Sequence, residues 1–168
     1  LSLRRQRQMC IRDRVEVVAP GLMALKSKNC YQCQALTRFV APLLETIGND
    51  NFYECSALTN FVAPLLETIG NRNFYECSAL TDFEAPRLTT IGTYNFYKCN
   101  ALTGFESPML MSVEHHIFRE CNALIHFSAP VLTTIGSDNF GFCKALISFE
   151  APMLISMRND NFYSCDAL

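Results

Sequence analysis

The stretch CSALTNFVAPLLETIGNRNFYE, residues 55–76, decides the fold because it returns along the chain with one fixed period. Cys33, Cys55, Cys77, Cys99, Cys121, Cys143 and Cys165 stand 22 residues apart without a slip. A period of this length marks a solenoid, in which each repeat is one rung that buries its apolar side only against its neighbours. The unit reads C-x-A-L-T-x-F-x-A-P-x-L-x-T-I-G-x-x-N-F-Y-x. Complete copies occupy 33–54, 55–76, 77–98, 99–120, 121–142 and 143–164, and another begins at 165–168. A degenerate copy spans 11–32, keeping Ala19-Pro20, Leu22, Leu25, Asn29 and Tyr31 in register, with Ile11 in the cysteine slot.

A 22-residue unit has no room for a strand plus a full helix, and no long 3.6-residue pattern fits its apolar slots. Phe-x-Ala, as in Phe61 and Ala63, alternates like a short strand that turns Asn60 and Val62 the other way. The proline that follows, Pro64 in this copy, lacks an N–H donor and should end that strand. Leu66 to Gly70 reads as a second short extended piece closed by a glycine turn. Asn73-Phe74-Tyr75-Glu76-Cys77 reads as one helical turn carrying Phe74 and Cys77 inward.

At this point the residues resemble a known family. Leu-x-x-Phe-x-Ala-Pro, Leu-x-x-Ile-Gly and Asn-Phe-x-x-Cys are similar to the unit of BspA-like leucine-rich repeats, the Treponema-pallidum-type repeat. The resemblance covers 15–168, with alanine before proline and asparagine before phenylalanine as departures. It implies a mainly β solenoid: a right-handed, curved superhelix with short parallel strands on its concave face and short helical turns or loops elsewhere. It also implies secretion or display at a cell surface.

The chain has 168 residues, 49% of them hydrophobic, enough for one stable domain. A net charge of −2 gives no reason to expect a nucleic-acid partner. No apolar run reaches the about 18 residues a membrane-spanning helix needs. The opening LSLRRQRQMCIRDR shares nothing with the repeat and resembles adapter-derived sequence, so residues 1–14 are expected to be a non-native basic leader. With a repeat begun at 165–168, the chain is expected to be a piece of a longer one, and an open last rung would invite end-to-end association.

In stacked rungs, identical residues form columns about 4.8 Å apart. The Leu36/Leu58/Leu80 and Phe39/Phe61/Phe83 columns are expected to be core, with Phe83→Ala costing about 3–5 kcal/mol through the cavity it leaves. The cysteines run side by side, which suits a disulfide poorly, and are expected to pack as small hydrophobes. Asn29, Asn51, Asn73, Asn95, Asn139 and Asn161 are read as a buried amide ladder serving turn backbone, broken at Ile117. Cys30 and Cys33 have the spacing of half a zinc or redox site, but Cys30 fills the slot of Phe52 and Phe74 and is read as core. His115 and His116 sit on an irregular turn and His126 on the strand, so they are not expected to converge on a metal.

No nucleophile motif, phosphate-cradling glycine loop or HExxH stretch occurs, and neither catalysis nor a cofactor is expected. The varied residues flank the strand phenylalanine: Arg38/Val40, Asn60/Val62, Asp82/Glu84, Gly104/Glu106, His126/Ser128 and Ser148/Glu150. The column passes from valines to carboxylates, so the expected function is a non-enzymatic module binding a protein or glycan within a larger surface or adhesin-like protein. A purely structural spacer and a β-helical carbohydrate-active enzyme are the competing readings.

Overall fold

The computed structural model describes residues 14–168. The leader read over 1–14 lies outside the described residues except for Arg14, as does the start of the degenerate copy. Each rung contributes a three-residue strand and then a two-residue strand. The first set is β1 (Glu16–Val18), β3 (Arg38–Val40), β5 (Asn60–Val62), β7 (Asp82–Glu84), β9 (Gly104–Glu106), β11 (His126–Ser128) and β13 (Ser148–Glu150). The second is β2 (Ala24–Leu25), β4 (Thr46–Ile47), β6 (Thr68–Ile69), β8 (Thr90–Ile91), β10 (Ser112–Val113), β12 (Thr134–Ile135) and β14 (Ser156–Met157). Every pairing is parallel and sets a residue opposite its repeat equivalent, as in Phe39↔Phe61 and Ile47↔Ile69. The fold is a parallel β-solenoid. Its two-residue strands form one unbroken seven-stranded sheet, so the second short extended piece expected within Leu66 to Gly70 becomes a second parallel sheet.

The helical turn expected at Asn-Phe-Tyr-x-Cys is absent, and no helix occurs among the described residues. The residue before each cysteine adopts a left-handed backbone, for example Glu54 (φ 54°) and Glu76 (φ 57°), which a right-handed helix excludes. Its N–H donates across to the next rung: Glu54 N–H reaches the Tyr75 carbonyl at 2.8 Å. Hydrogen bonds that a helix would close locally are spent between rungs.

The glycine turn also needs correction. No glycine has positive φ, so Gly70 and Gly92 are there for space. The Asn49 side chain accepts the Asn71 N–H at 2.8 Å, and the Asn71 side chain accepts the Thr93 N–H at 2.9 Å. A β-carbon at Gly70 would lie 2.4 Å from Asn49 Oδ1, and one at Gly92 would lie 2.3 Å from Asn71 Oδ1 and 2.8 Å from backbone. Ser27 and His115 cap the same way, and glycine follows them at Gly48 and Gly136. Thr93 and Ser137 make no such bond, and there the chain has Glu114 and Arg158. Gly92→Ala should therefore cost about 1–3 kcal/mol in chemical denaturation by overpacking, whereas Glu76→Gly, at a left-handed site, should stay within about 1 kcal/mol of wild type. Equal costs for the two would contradict this account.

The core is a set of aromatic columns. Phe39, Phe61, Phe83, Phe105, Phe127 and Phe149 stack along the strand face, and Phe52, Phe74, Phe96, Phe118, Phe140 and Phe162 stack along the turns. The two columns interlock edge to face, as in Phe61–Phe74 at 5.0 Å and 77°, a favoured geometry for the ring quadrupole. Phe61 and Phe74 are fully buried, but Phe83 is only partly buried.

The polar columns inside this core are paired. Asn51, Asn73 and Asn95 accept through Oδ1 the backbone N–H of the asparagine one rung earlier, each at 3.0 Å. Ile117 interrupts the ladder, and Asn139 resumes it by accepting the Ile117 N–H at 3.0 Å. The cysteines are more than hydrophobes. Cys77 Sγ donates to the Phe52 carbonyl at 3.0 Å, and Cys99, Cys121, Cys143 and Cys165 repeat the bond to the preceding turn. These thiols are not disulfide-bonded. Burial first, then the neighbouring Cys165, pushes Cys143 up to about 12, and Cys99 and Cys121 are also raised by burial. A thiol held neutral in this way is a poor nucleophile.

Candidate functional site: a seam in the strand face

Along the three-residue strands, the first and third side chains face outward while the central phenylalanine points into the core. This face is continuous everywhere except at one place. Strands β1-β3-β5-β7 form one sheet and β9-β11-β13 another, with no ladder between β7 and β9. Ala63 N–H donates to Glu84 O and Ala129 N–H to Glu150 O, but the equivalent Ala85 N–H finds no such partner. Across the gap the Phe83 and Phe105 rings tilt by 20°, against 10° or less elsewhere in their column.

Two sequence departures account for the seam. The register that pairs Val62 with Glu84 and Ser128 with Glu106 would set Glu84 directly against Glu106, and like charges opposite one another destabilise a sheet. Ser107 also replaces the alanine found at Ala63, Ala85 and Ala129. It is 1% exposed, and its hydroxyl donates to the Leu88 carbonyl of the preceding rung at 3.3 Å. The larger polar side chain is thus wedged between the rungs that part.

The seam opens into a cleft of about 410 Å³ lined by Asn60, Thr81, Asp82, Phe83, Glu84, Thr103, Gly104, Glu106 and His126. Gly104 makes room for it. A β-carbon there would lie 2.2 Å from the His126 ring, which folds over the glycine with Nε2 3.6 Å from Glu106 Oε1. Thr81 donates to Asp82 at 2.7 Å. Asn60 Oδ1 is buried and accepts no hydrogen bond. The lining therefore gathers three carboxylates, Asp82, Glu84 and Glu106, beside His126, with no lysine or arginine.

Of the residues expected on this face, the cleft gathers Asn60, Asp82, Glu84, Glu106 and His126. Arg38 lies away from it, paired with Glu16. Val40 and Val62 are half-buried beside the column, and Ser128 approaches Glu150 at 3.5 Å. His115 accepts the Ser137 N–H at 2.9 Å, and His116 stacks on Tyr94, so neither joins His126. No group of three or more histidine, cysteine or acidic side chains among the described residues is placed to hold a metal ion. Cys33 directs its thiol at the Tyr31 carbonyl and Cys30 is disulfide-bonded, so the two sulfurs are not bonded to each other. Sequence reading missed Ser107 and Gly104 as the makers of the cleft. The signal was present: Ser107 is the one departure from alanine in that slot among the copies.

A family model described as the BspA type leucine-rich repeat region matches residues 45–168 in six copies. Among solved structures, a leucine-rich repeat protein of T. pallidum superposes with a TM-score of 0.81 at 23% identity, covering 93% of this chain and 78% of that one. A leucine-rich cell surface protein from Faecalibacterium prausnitzii gives a TM-score of 0.59 at 20% identity, covering 82% of this chain and 47% of that one. A leucine-rich repeat protein from Bacteroides ovatus gives 0.58 at 19% identity, covering 93% of this chain and 48% of that one. No curated protein matches the chain.

Proposed function

The chain belongs to the BspA-type leucine-rich repeat family, and from that premise we propose that it is a non-enzymatic interaction module. It holds a protein partner on its three-residue strand face and seats a lysine or arginine side chain of that partner in the seam. The observation that carries this reading is the gathering of three carboxylates, Asp82, Glu84 and Glu106, in a cleft with no lysine or arginine. Ammonium and guanidinium groups bring donors and no acceptors. Their positive charge relieves the repulsion between Glu84 and Glu106, which a neutral ligand would leave in place. The half-buried Val40 and Val62 on the adjoining rungs offer apolar contact beside the charged pocket.

The module is read as one stretch of a larger surface or adhesin-like protein, secreted or displayed at the cell surface. The naming of one structural neighbour as a cell surface protein supports that placement. A lysine-rich octapeptide labelled for fluorescence anisotropy tests the binding claim against a glutamate-rich counterpart. The lysine peptide should bind, weaken as salt rises, and lose at least about tenfold in affinity to Glu84→Lys with Glu106→Lys. A spacer would be indifferent to both substitutions, and equal binding of both peptides would remove the cleft from the account.

A further inference from the structure

A ladder of rings runs along the turn edge, where Tyr31, Tyr53, Tyr75 and Tyr97 stack at 4.8–5.1 Å. Next to this ladder, Tyr94 breaks the pattern. One of its faces is covered by His116, stacked at 4.5 Å and 14°, and Tyr97 meets it edge-on at 6.1 Å. Its other face turns toward the preceding rung, where Arg72 holds the equivalent position. Arg72 does not lie over the ring; it leans toward Asp50, Nε to Oδ1 3.9 Å. The space left is a cavity of about 390 Å³ lined by Tyr53, Arg72, Tyr75, Thr93 and Tyr94.

We propose that this cavity is a carbohydrate subsite that takes one pyranose ring of a glycan. The face of a tyrosine ring is electron-rich, and the C–H groups on one face of a sugar are weakly positive, so the two attract. Tyr94 is well held for that contact. His116 backs it, and its backbone is fixed in a left-handed turn (φ 57°) with the N–H bonded to the His115 carbonyl at 3.1 Å. Neighbouring sugar hydroxyls need donors and acceptors together, which Arg72 and the Thr93 hydroxyl, both lining the cavity, supply. Asp50 beside the guanidinium favours an uncharged sugar over an anion. The cavity lies within the size range of small-ligand pockets, about 300–1,000 Å³.

Saturation-transfer NMR with methyl β-glucopyranoside, methyl β-galactopyranoside and methyl α-mannopyranoside tests the subsite. At least one should receive saturation on the protons of a single ring face. Tyr94→Phe should keep that signal, and Tyr94→Ala should weaken binding about fivefold or more. Arg72→Ala, at an exposed side chain, should also weaken it and serves if Tyr94→Ala does not fold. Glu84→Lys, in the strand-face cleft, should leave it unchanged, which separates this site from the protein-binding reading. No saturation of any of the three glycosides, or saturation untouched by the Tyr94→Ala and Arg72→Ala substitutions, overturns the proposal.

Discussion

Phe61→Ala should lower the stability of the chain by about 3–5 kcal/mol, whereas Phe83→Ala should cost clearly less, despite identical repeat positions. Phe61 is fully buried and touches four rings: Phe39 and Phe83 in its own column, Phe52 and Phe74 in the other. Truncation there leaves a cavity between rungs held by ladders on both sides, which cannot collapse to fill it. Phe83 is only partly buried and lines the seam. Its neighbours are already parted on one side, so part of the burial energy was never gained and the remaining gap is open to water. Urea titration of the two variants gives the comparison directly, and a Phe83→Ala cost equal to that of Phe61→Ala would mean that the seam is closed in solution.

Asn95→Ala should be nearly as damaging, about 2–4 kcal/mol, although it removes no apolar group. Asn95 Oδ1 accepts the Asn73 N–H at 3.0 Å, while its Nδ2 donates to the Gly70 carbonyl at 2.8 Å and to the Gly92 carbonyl. Alanine strips a partner from three backbone groups that lie between two rungs. A buried donor or acceptor left without a partner bears its full desolvation cost, about 1–3 kcal/mol each, with partial relief from water at the turn. An exposed neighbour makes the control: Asn122→Ala loses only the exposed contact with Asn100 and should change stability by less than about 0.5 kcal/mol. Similar midpoints for the two asparagine variants in thermal melts would contradict the buried-ladder account.

The period carried most of the fold. A 22-residue spacing forces register, because every strand must sit opposite its equivalent to keep Phe61 above Phe83 and Cys55 above Cys77. Local conformation was harder to read. The Asn-Phe-Tyr-x-Cys segment has helical spacing, but the left-handed residues Glu54 and Glu76 belong to types that do not advertise that conformation. The glycines look like turn formers, yet they answer to a side chain 21 residues earlier, as Gly70 answers to Asn49. Such a dependence is visible only when two copies are compared: Thr93 before Glu114 shows the pair changing together. The candidate site was legible as a column of varied residues. Its depth was not, since a cleft requires knowing that Glu84 would face Glu106 and that Ser107 stands in an alanine slot.

Protein recognition is assigned to the varied strand-face residues at the seam, while the buried phenylalanine, asparagine and cysteine columns serve to stack the rungs. Amide chemical-shift mapping of the 168-residue chain during titration with the lysine-rich octapeptide tests it most directly. Saturable shifts should be confined to Thr81–Glu84, Thr103–Glu106 and His126, with the turn edge around Tyr94 unmoved by this peptide. Shifts spread evenly over every acidic rung, or centred on the turn edge, would contradict it.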